Sequence, residues 1–266
     1  RNRHKDIPMQ NIRLTLQYDG TRYLGWQRPQ KDGHEKTVSY KLASVLKKMT
    51  GEEITLHVGA KTEAGVHAAS QTVSFQTNCA ISPEQFYTEL NRYLPQDIAV
   101  LNASAASERF RADLSAISRT YEYRVCTASV YDVFSAPYTA HLPLDEYTAE
   151  DAGTILDRNA MQEAAALLIG RHNFRGFCGA RSKKKTEKEI LEIRITHEAE
   201  HFFAITLTAD DFLFRMPSLI MGTLMEVGVG KRTPESIRDI LEGREKAAAL
   251  CEAKGLLLKS VSYDNG

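Results

Sequence analysis

The sequence has little cysteine, only four residues in 266. Cys79, Cys126, Cys178 and Cys251 stand far apart, and no CxxC pair occurs. That spacing argues against a zinc ribbon and against a disulfide framework. The simplest reading is reduced thiols in a cytoplasmic protein. Net charge is missing too: 34 lysines and arginines balance 34 aspartates and glutamates. This removes the easiest argument for a nucleic-acid partner, but a binder can still gather its positive charge on one face. No run of about 18 apolar residues exists, so a membrane-spanning helix is excluded. No charged-then-apolar signal segment opens the chain; its basic, polar start, Arg1 to Pro8, reads as a tail. Low-complexity segments and short-period repeats are likewise missing.

What is present is an ordinary balance of 42% apolar and 26% charged residues, as in a globular protein of one large or two smaller domains. Ile12 to Tyr18 alternates apolar and polar residues and predicts a half-buried strand, closed by the turn pair Asp19-Gly20. Thr37 to Met49 carries Val38, Leu42, Val45, Leu46 and Met49 on one helical stripe, with Thr37 as its cap and Gly51 as its end. Ile54 to Val58 and Thr72 to Phe75 predict short strands, with KTEAGVHA between them. Pro83 to Leu94 predicts a helix with proline in its first turn. Ile98 to Leu101 and Thr120 to Val125 predict strands.

The second half repeats this grammar. Met161 to Ile169 predicts a helix, and Ile190 to Thr196 with Phe202 to Thr208 a hairpin pair. Met216 to Val227 predicts a buried helix, Pro234 to Leu241 a short amphipathic one, and Gly255 to Val261 a last strand. The pattern is α+β: two similar halves, each an antiparallel sheet backed by helices. The expected division is 1–8 as tail, 9–110 as the N-terminal half and 111–266 as the C-terminal half.

Four constellations invite a chemical reading. His197-Glu198-Ala199-Glu200-His201 matches HExxH, but it lies between two strand patterns and reads as a hairpin tip rather than a zinc helix. Gly228-Val229-Gly230-Lys231-Arg232 lacks phosphate-loop spacing and reads as a helix C-terminal cap. Arg171 to Glu189 holds Arg171, Arg175, Arg181, Lys183, Lys184, Lys185 and Lys188 against Glu187 and Glu189, with Phe174 and Phe177 interleaved. It is either a solvated loop or a phosphate-contacting arm. The fourth and most specific segment is Gly59-Ala60-Lys61-Thr62-Glu63-Ala64-Gly65-Val66-His67-Ala68. From spacing alone a glycine turn with a solvated carboxylate accounts for it, yet Glu63, Gly65 and His67 between two strands form an unusual density of functional residue types.

That segment resembles the GRTDAGVHA signature loop of the TruA family of tRNA pseudouridine synthases. Tyr18-Asp19-Gly20-Thr21 and Gly25-Trp26-Gln27 resemble its YDGT…GWQ. Leu90-Asn91-Arg92 with Leu94-Pro95-Gln96-Asp97-Ile98 resembles its LN…LP.DI, and Ser118 to Tyr123 its SRTYRY strand. Met161 to Phe174 resembles MxxAAxxLxGxHDF, with Asn173 for aspartate, and Met216 with Gly222 to Gly228 resembles M…GTLxEVG. The resemblance covers nearly the whole chain. It implies isomerisation of uridine to pseudouridine in the anticodon arm of tRNA, without metal or cofactor, in a cytoplasmic homodimer whose central RNA-binding cleft grips the tRNA.

By resemblance the catalytic residues are Glu63, at the position of the family's aspartate, Lys61, at its loop arginine, and Tyr121, its base-packing tyrosine. Thr62, Gly65, His67, Arg119, Arg215 and Arg175 are implied on the substrate-binding surface. The family's MVR reads Met216-Pro217-Ser218, so its arginine is lost, and its FHARF reads Phe110-Arg111-Ala112-Asp113-Leu114. Arg215 and Arg111 are the neighbouring candidates to supply that charge. Glutamate extends the carboxylate by one C–C bond, and a misplacement of about 1 Å can cost about a hundredfold in rate. Lysine gives a point charge instead of a planar fork, and Ser218 leaves the carboxylate less compensated and a poorer nucleophile. The resemblance therefore leaves two main readings: an isomerase using Glu63, and a degenerate relative that binds RNA or a partner without the chemistry. A third, related carbon–glycoside reaction on a smaller nucleotide fits the neutral charge.

Overall fold

A computed structural model describes residues 9–28, 32–142, 156–180, 185–199 and 201–264. The tail 1–8, Arg181, Lys183, Lys184 and Glu200 lie outside the described residues. The chain divides into two compact units: the first runs to Ile117 and regains the chain at Leu258, and the second spans Ser118–Leu257. This differs from a simple 9–110 and 111–266 division, because the last strand returns to the first unit.

The first unit is built on β1 (Gln10–Tyr18), β2 (His57–Val58), β3 (His67–Thr77), β4 (Ile98–Ala106) and the returning β10 (Leu256–Tyr263), in the order β4-β1-β3-β10, with β2 on β3. The pairings of β1 with β3 and β4 are antiparallel, with Leu14 opposite Val73 and Ala103. Alternation along β1 sends Ile12, Leu14 and Leu16 into the core. Helix α1 (Val38–Thr50) starts on Thr37, whose side chain accepts from the Tyr40 amide, and ends on the left-handed Gly51. Helix α2 (Pro83–Tyr93) starts with a capping box between Ser82 and Gln85. Leu42 and Leu46 of α1 and Phe86 and Leu90 of α2 are fully buried, and Phe75 of β3 meets Phe86 edge-on at 5.3 Å.

The strand expected over Ile54 to Val58 shrinks to two residues. Its approach is set by a side chain instead of a ladder: Glu52 takes hydrogen bonds from the Thr77 hydroxyl and the Asn78 amide at the end of β3. Strand β3 in turn is longer than expected and begins at His67, inside the KTEAGVHA segment.

The second unit carries β5 (Ala116–Cys126), β6 (Ala140–His141), β7 (Gly170–Asn173), β8 (Glu187–Ala199) and β9 (Phe202–Ala209) in the order β5-β9-β8-β7, with β6 parallel to β5. The β8–β9 hairpin is the one expected, with His197 opposite Phe203. The HExxH pattern thus ends a strand, where residues four apart share no helix face. Helix α3 (Arg158–Leu168) packs on α4 (Met216–Gly228), whose residues are mostly buried, and on α5 (Ser236–Leu241). Gly230, after α4, is left-handed, as a C-terminal cap requires. Each unit is therefore α+β, a mainly antiparallel sheet backed by helices. None of the four cysteines forms a disulfide, and among the described residues no helix is long and apolar enough to cross a membrane.

Candidate functional site

In the first unit, segment 59–68 connects β2 to β3 across a turn in which the Val66 amide donates to the Glu63 carbonyl at 3.1 Å. Gly65 has φ 76°, the left-handed backbone that a type II turn needs at its third residue. Segment 18–26 cradles this turn. The Trp26 amide donates to the Thr62 carbonyl at 2.9 Å, and the Gly65 amide to the Tyr23 carbonyl at 3.1 Å. Gly20 and Gly25 make the approach possible: a Cβ at Gly20 would stand 2.0 Å from the Val66 carbonyl oxygen, and one at Gly25 2.7 Å from that of Thr62. The YDGT and GWQ runs and the signature loop are thus one structural piece.

The side chains in the turn separate into two groups. Thr62 and His67 are buried. The Thr62 hydroxyl shares a 2.6 Å hydrogen bond with the Tyr18 hydroxyl, and His67 Nδ1 accepts the Gly20 amide at 3.0 Å, with Asp19 Oδ1 3.2 Å away. Lys61 is exposed and Glu63 half-buried. Among the described residues Lys61 makes no ion pair.

A second tie runs to the residues before β4. Asp97 accepts from the Asp19 amide through its carbonyl at 3.0 Å, from the Tyr23 hydroxyl at 2.5 Å and from Arg22 at the other carboxylate oxygen. Burial, then the hydrogen bond to Asp97, pushes the Tyr23 hydroxyl well above its ordinary pKa. Sequence reasoning placed Asp97 in a motif without a role; it fastens the cradle.

In the second unit, β5 presents Arg119, Tyr121 and Tyr123 on one buried face. The Tyr121 ring meets Phe212 edge-on, centroids 5.3 Å apart at 87°. Arg119, implied as a substrate contact, is buried. Its guanidinium donates to the Asp210 carbonyl at 2.6 Å and lies 3.8 Å from the Asp211 carboxylate, which also takes Lys188 at 2.6 Å. Asp210 Oδ1 accepts the amides of Glu189 and Asp211. These bonds fix the segment that brings Phe212 to Tyr121, a function for Arg119 that its residue type does not advertise.

That segment ends at Arg215, the only non-glycine residue at positive φ (63°) among the described residues. Its exposed guanidinium lies 5.0 Å from the Phe214 ring centroid, and Gly179 leaves room for its stem, since a Cβ there would meet the Arg215 side chain at 2.5 Å. Three residues later Ser218, where the family arginine is missing, is buried with its hydroxyl 3.3 Å from Cys251 Sγ. In the first unit Arg111 forks onto Asp113, at 3.1 and 2.7 Å, and His57 lies 3.9 Å from Asp113.

The basic stretch is less free than its composition suggests. Arg171 pairs with Glu189, Lys185 with Glu187 and Lys188 with Asp211. Arg175 is exposed and makes no ion pair among the described residues. Sequence reasoning missed Tyr18, Gln71, Asp97 and Phe212; for Tyr18 and Asp97 the flanking motif runs were the available signal.

Comparison with known proteins follows the same residues. The sequence model of the family described as tRNA pseudouridine synthase matches residues 15–113 and 164–264. The tRNA pseudouridine synthase A of Moorella thermoacetica is 38% identical over 257 residues, covering 95% of this chain and 99% of the relative. The tRNA pseudouridine synthase A 2 of Clostridium tetani is 36% identical over 257 residues, covering 96% and 99%. Among solved structures, a chain of a Cbf5-Nop10-Gar1 complex overlays with a TM-score of 0.35 at 9% identity, over 93% of this chain and 48% of that one.

Proposed function

The chain belongs to the tRNA pseudouridine synthase family, and on that premise we propose that it isomerises uridine to pseudouridine in the anticodon arm of tRNA, with Glu63 as the catalytic carboxylate. The observation that carries the reading is the turn itself. It sets a half-buried carboxylate beside the exposed Lys61, while the neighbouring Thr62 and His67 are spent on holding the turn. A carboxylate so placed has a fixed backbone and a reachable head, which suits attack on, or stabilisation of, the ribose carbon.

The reaction is an internal rearrangement. The target nucleotide is everted at a cost of a few kcal/mol of stacking and pairing. The C1′–N1 bond breaks, uracil turns, C1′–C5 forms, the C5 proton leaves and N1 gains one, so nothing is oxidised and no group is lost. In this reading Lys61 supplies charge to Glu63, the Tyr121 ring packs on the base and assists the loss of the C5 proton, and Gly65 lets the backbone approach the substrate. Arg215 and Arg175, exposed and without carboxylate partners among the described residues, are the candidates for phosphate contact, while Thr62, His67 and Arg119 serve the site by holding its parts. The working assembly on this reading is a cytoplasmic homodimer.

Release of tritium from tRNA labelled at uracil C5 tests the proposal. Wild-type protein should release it over many turnovers, and Glu63→Gln should abolish release while retaining tRNA. Retention of tRNA without release by wild type, even at high protein concentration, would instead favour a binding protein that has lost the chemistry. Mapping the modified position by primer extension after carbodiimide treatment tests the anticodon arm.

A further inference from the structure

We propose that Tyr18, Thr62 and Gln71 form a buried clamp whose task is to position Glu63. The inference rests on reading Glu63 as the reacting carboxylate. Gln71, fully buried in β3, behaves as a surrogate strand for the chain entering the turn: its Oε1 accepts the Ala60 amide at 3.2 Å and its Nε2 donates to the Ala60 carbonyl at 2.6 Å. The same Nε2 donates to the Tyr18 hydroxyl at 3.3 Å, which leaves the tyrosine proton for the 2.6 Å bond to Thr62. The peptides on both sides of Lys61 are thereby held from beneath, one through the Gln71 carboxamide and one through the Thr62 side chain.

The register of the sheet is broken beside these residues. Between β1 and β3, Leu16 pairs with Gln71 but Tyr18 pairs with Ala68, so β3 advances three residues while β1 advances two. Tyr18 keeps the alternation of Ile12, Leu14 and Leu16, and Gln71 that of Phe75 and Val73, so both stand on the buried face; the extra residue of β3 falls between Gln71 and Ala68, where the strand bends next to the turn. Burial raises the Tyr18 pKa to about 12, against the lowering effect of its bonds to Thr62 and Gln71, so the hydroxyl stays a neutral donor. The clamp matters more for a glutamate than for an aspartate. Glu63 has one more torsion between backbone and carboxylate, so play in the backbone is carried further before it reaches the carboxylate.

The test compares Tyr18→Phe, Thr62→Val, the double variant and Thr62→Ser, with tritium release and site-resolved amide exchange as separate readouts. Tyr18→Phe and Thr62→Val should each lower kcat by about tenfold to a hundredfold, with KM for tRNA within about twofold. The double variant should be no worse than the poorer single one, since both remove the Tyr18–Thr62 bond and Tyr18→Phe already removes the Gln71 bond as well. Thr62→Ser should rescue most of the rate lost in Thr62→Val. Exchange of the Ala60 and Val66 amides should quicken at least about tenfold in the damaged variants, while core amides of β1 and α2 keep their rates. Additive losses in the double variant, a rise in KM at constant kcat, or unchanged exchange would overturn the clamp. If wild-type protein releases no tritium, the reading of Glu63 falls, and amide exchange still decides whether these three residues hold the turn. Should Thr62→Val fail to fold, Tyr18→Phe, which removes only a hydroxyl, decides alone.

Discussion

Segment 59–68 of the first unit is held by buried polar groups, whereas the described part of 171–189 in the second unit settles its charges at the surface. In the first, Thr62, His67, Tyr18 and Gln71 are buried and hydrogen-bonded, and two glycines admit the backbone. In the second, Arg171, Lys185 and Lys188 are matched by Glu189, Glu187 and Asp211. Charge density made the second segment conspicuous, yet exposed pairs such as those of Arg171 and Lys185 contribute about 0–1 kcal/mol. Buried polar groups are different: each must be satisfied or costs about 1–3 kcal/mol. A site is better recognised by how many buried bonds hold it than by how many charges it shows.

Substitutions at glycines break this comparison most severely. Gly20→Ala puts a methyl 2.0 Å from a backbone oxygen of the turn, with the Val66 carbonyl carbon at 2.5 Å, and backbone cannot swing aside as a side chain can. A loss of about 3 kcal/mol or more is expected in urea unfolding, at the upper end of overpacking costs. Gly51→Ala is the control. Gly51 is left-handed, but nothing stands within 4 Å of the added Cβ, so only the backbone cost of about 1–2 kcal/mol remains. Equal losses at the two positions would mean that the contact of segment 18–26 with the turn is not close enough to matter.

Restoring the family's arginine comes next. On sequence alone Ser218→Arg reads as a repair. The structure argues that it is an insertion into a filled place, since Ser218 is buried on α4 with Cys251 Sγ against its hydroxyl. It should destabilise by about 2 kcal/mol or more, and Ser218→Arg with Cys251→Ala should recover part of the loss. A stable single variant with faster tritium release would show that the pocket yields readily.

The two regions were not equally legible. Alternation over Ile12, Leu14 and Leu16 and the caps Thr37, Gly51 and Ser82 act within a few residues, so the main strands and helices could be read directly. Strand β2 could not, because the Glu52 side chain does the work of a ladder there. Residue types also marked Glu63 and His67, but not what holds them. Tyr18 and Thr62 are 44 residues apart and Tyr18 and Gln71 53, and bonds across such separations leave no periodic trace. Arg119 and Arg215 show the converse, since their residue type does not announce their geometry. Arginine suggests a phosphate contact, yet Arg119 is buried on Asp210 and Asp211, and nothing about arginine announces the left-handed backbone at 215.

Alkaline pH separates the regions by a smaller effect. A tyrosine in an unfolded chain titrates near 10, while burial lifts Tyr18 to about 12 and also raises Tyr23 and Tyr123. Between these values the unfolded chain gives up a proton that the native chain keeps, so unfolding is favoured as pH rises. The contribution of Tyr18 is therefore complete below about pH 10 and is lost toward pH 12, on the order of 2 kcal/mol. Urea titrations across that window should show a shallower decline in Tyr18→Phe than in wild type. An unchanged slope would mean that the hydroxyl is not buried as described.

The smallest effects lie within the basic stretch and divide it in two. Lys188 is largely covered and bonded to the same carboxylate that faces Arg119, so Lys188→Ala should cost about 1 kcal/mol of stability and loosen the segment that carries Phe212. Arg175 is exposed and holds nothing among the described residues, so Arg175→Ala should change stability by less than about 0.5 kcal/mol. Retention of tRNA should respond in the opposite order. Losing a phosphate contact lowers the slope of log affinity against log salt by about one, whereas losing an internally paired lysine leaves the slope as it was. If Lys188→Ala reduced the slope and Arg175→Ala did not, the pairs along 171–189 would have to open when RNA binds, and surface balance in the free chain would no longer mark a segment as structural.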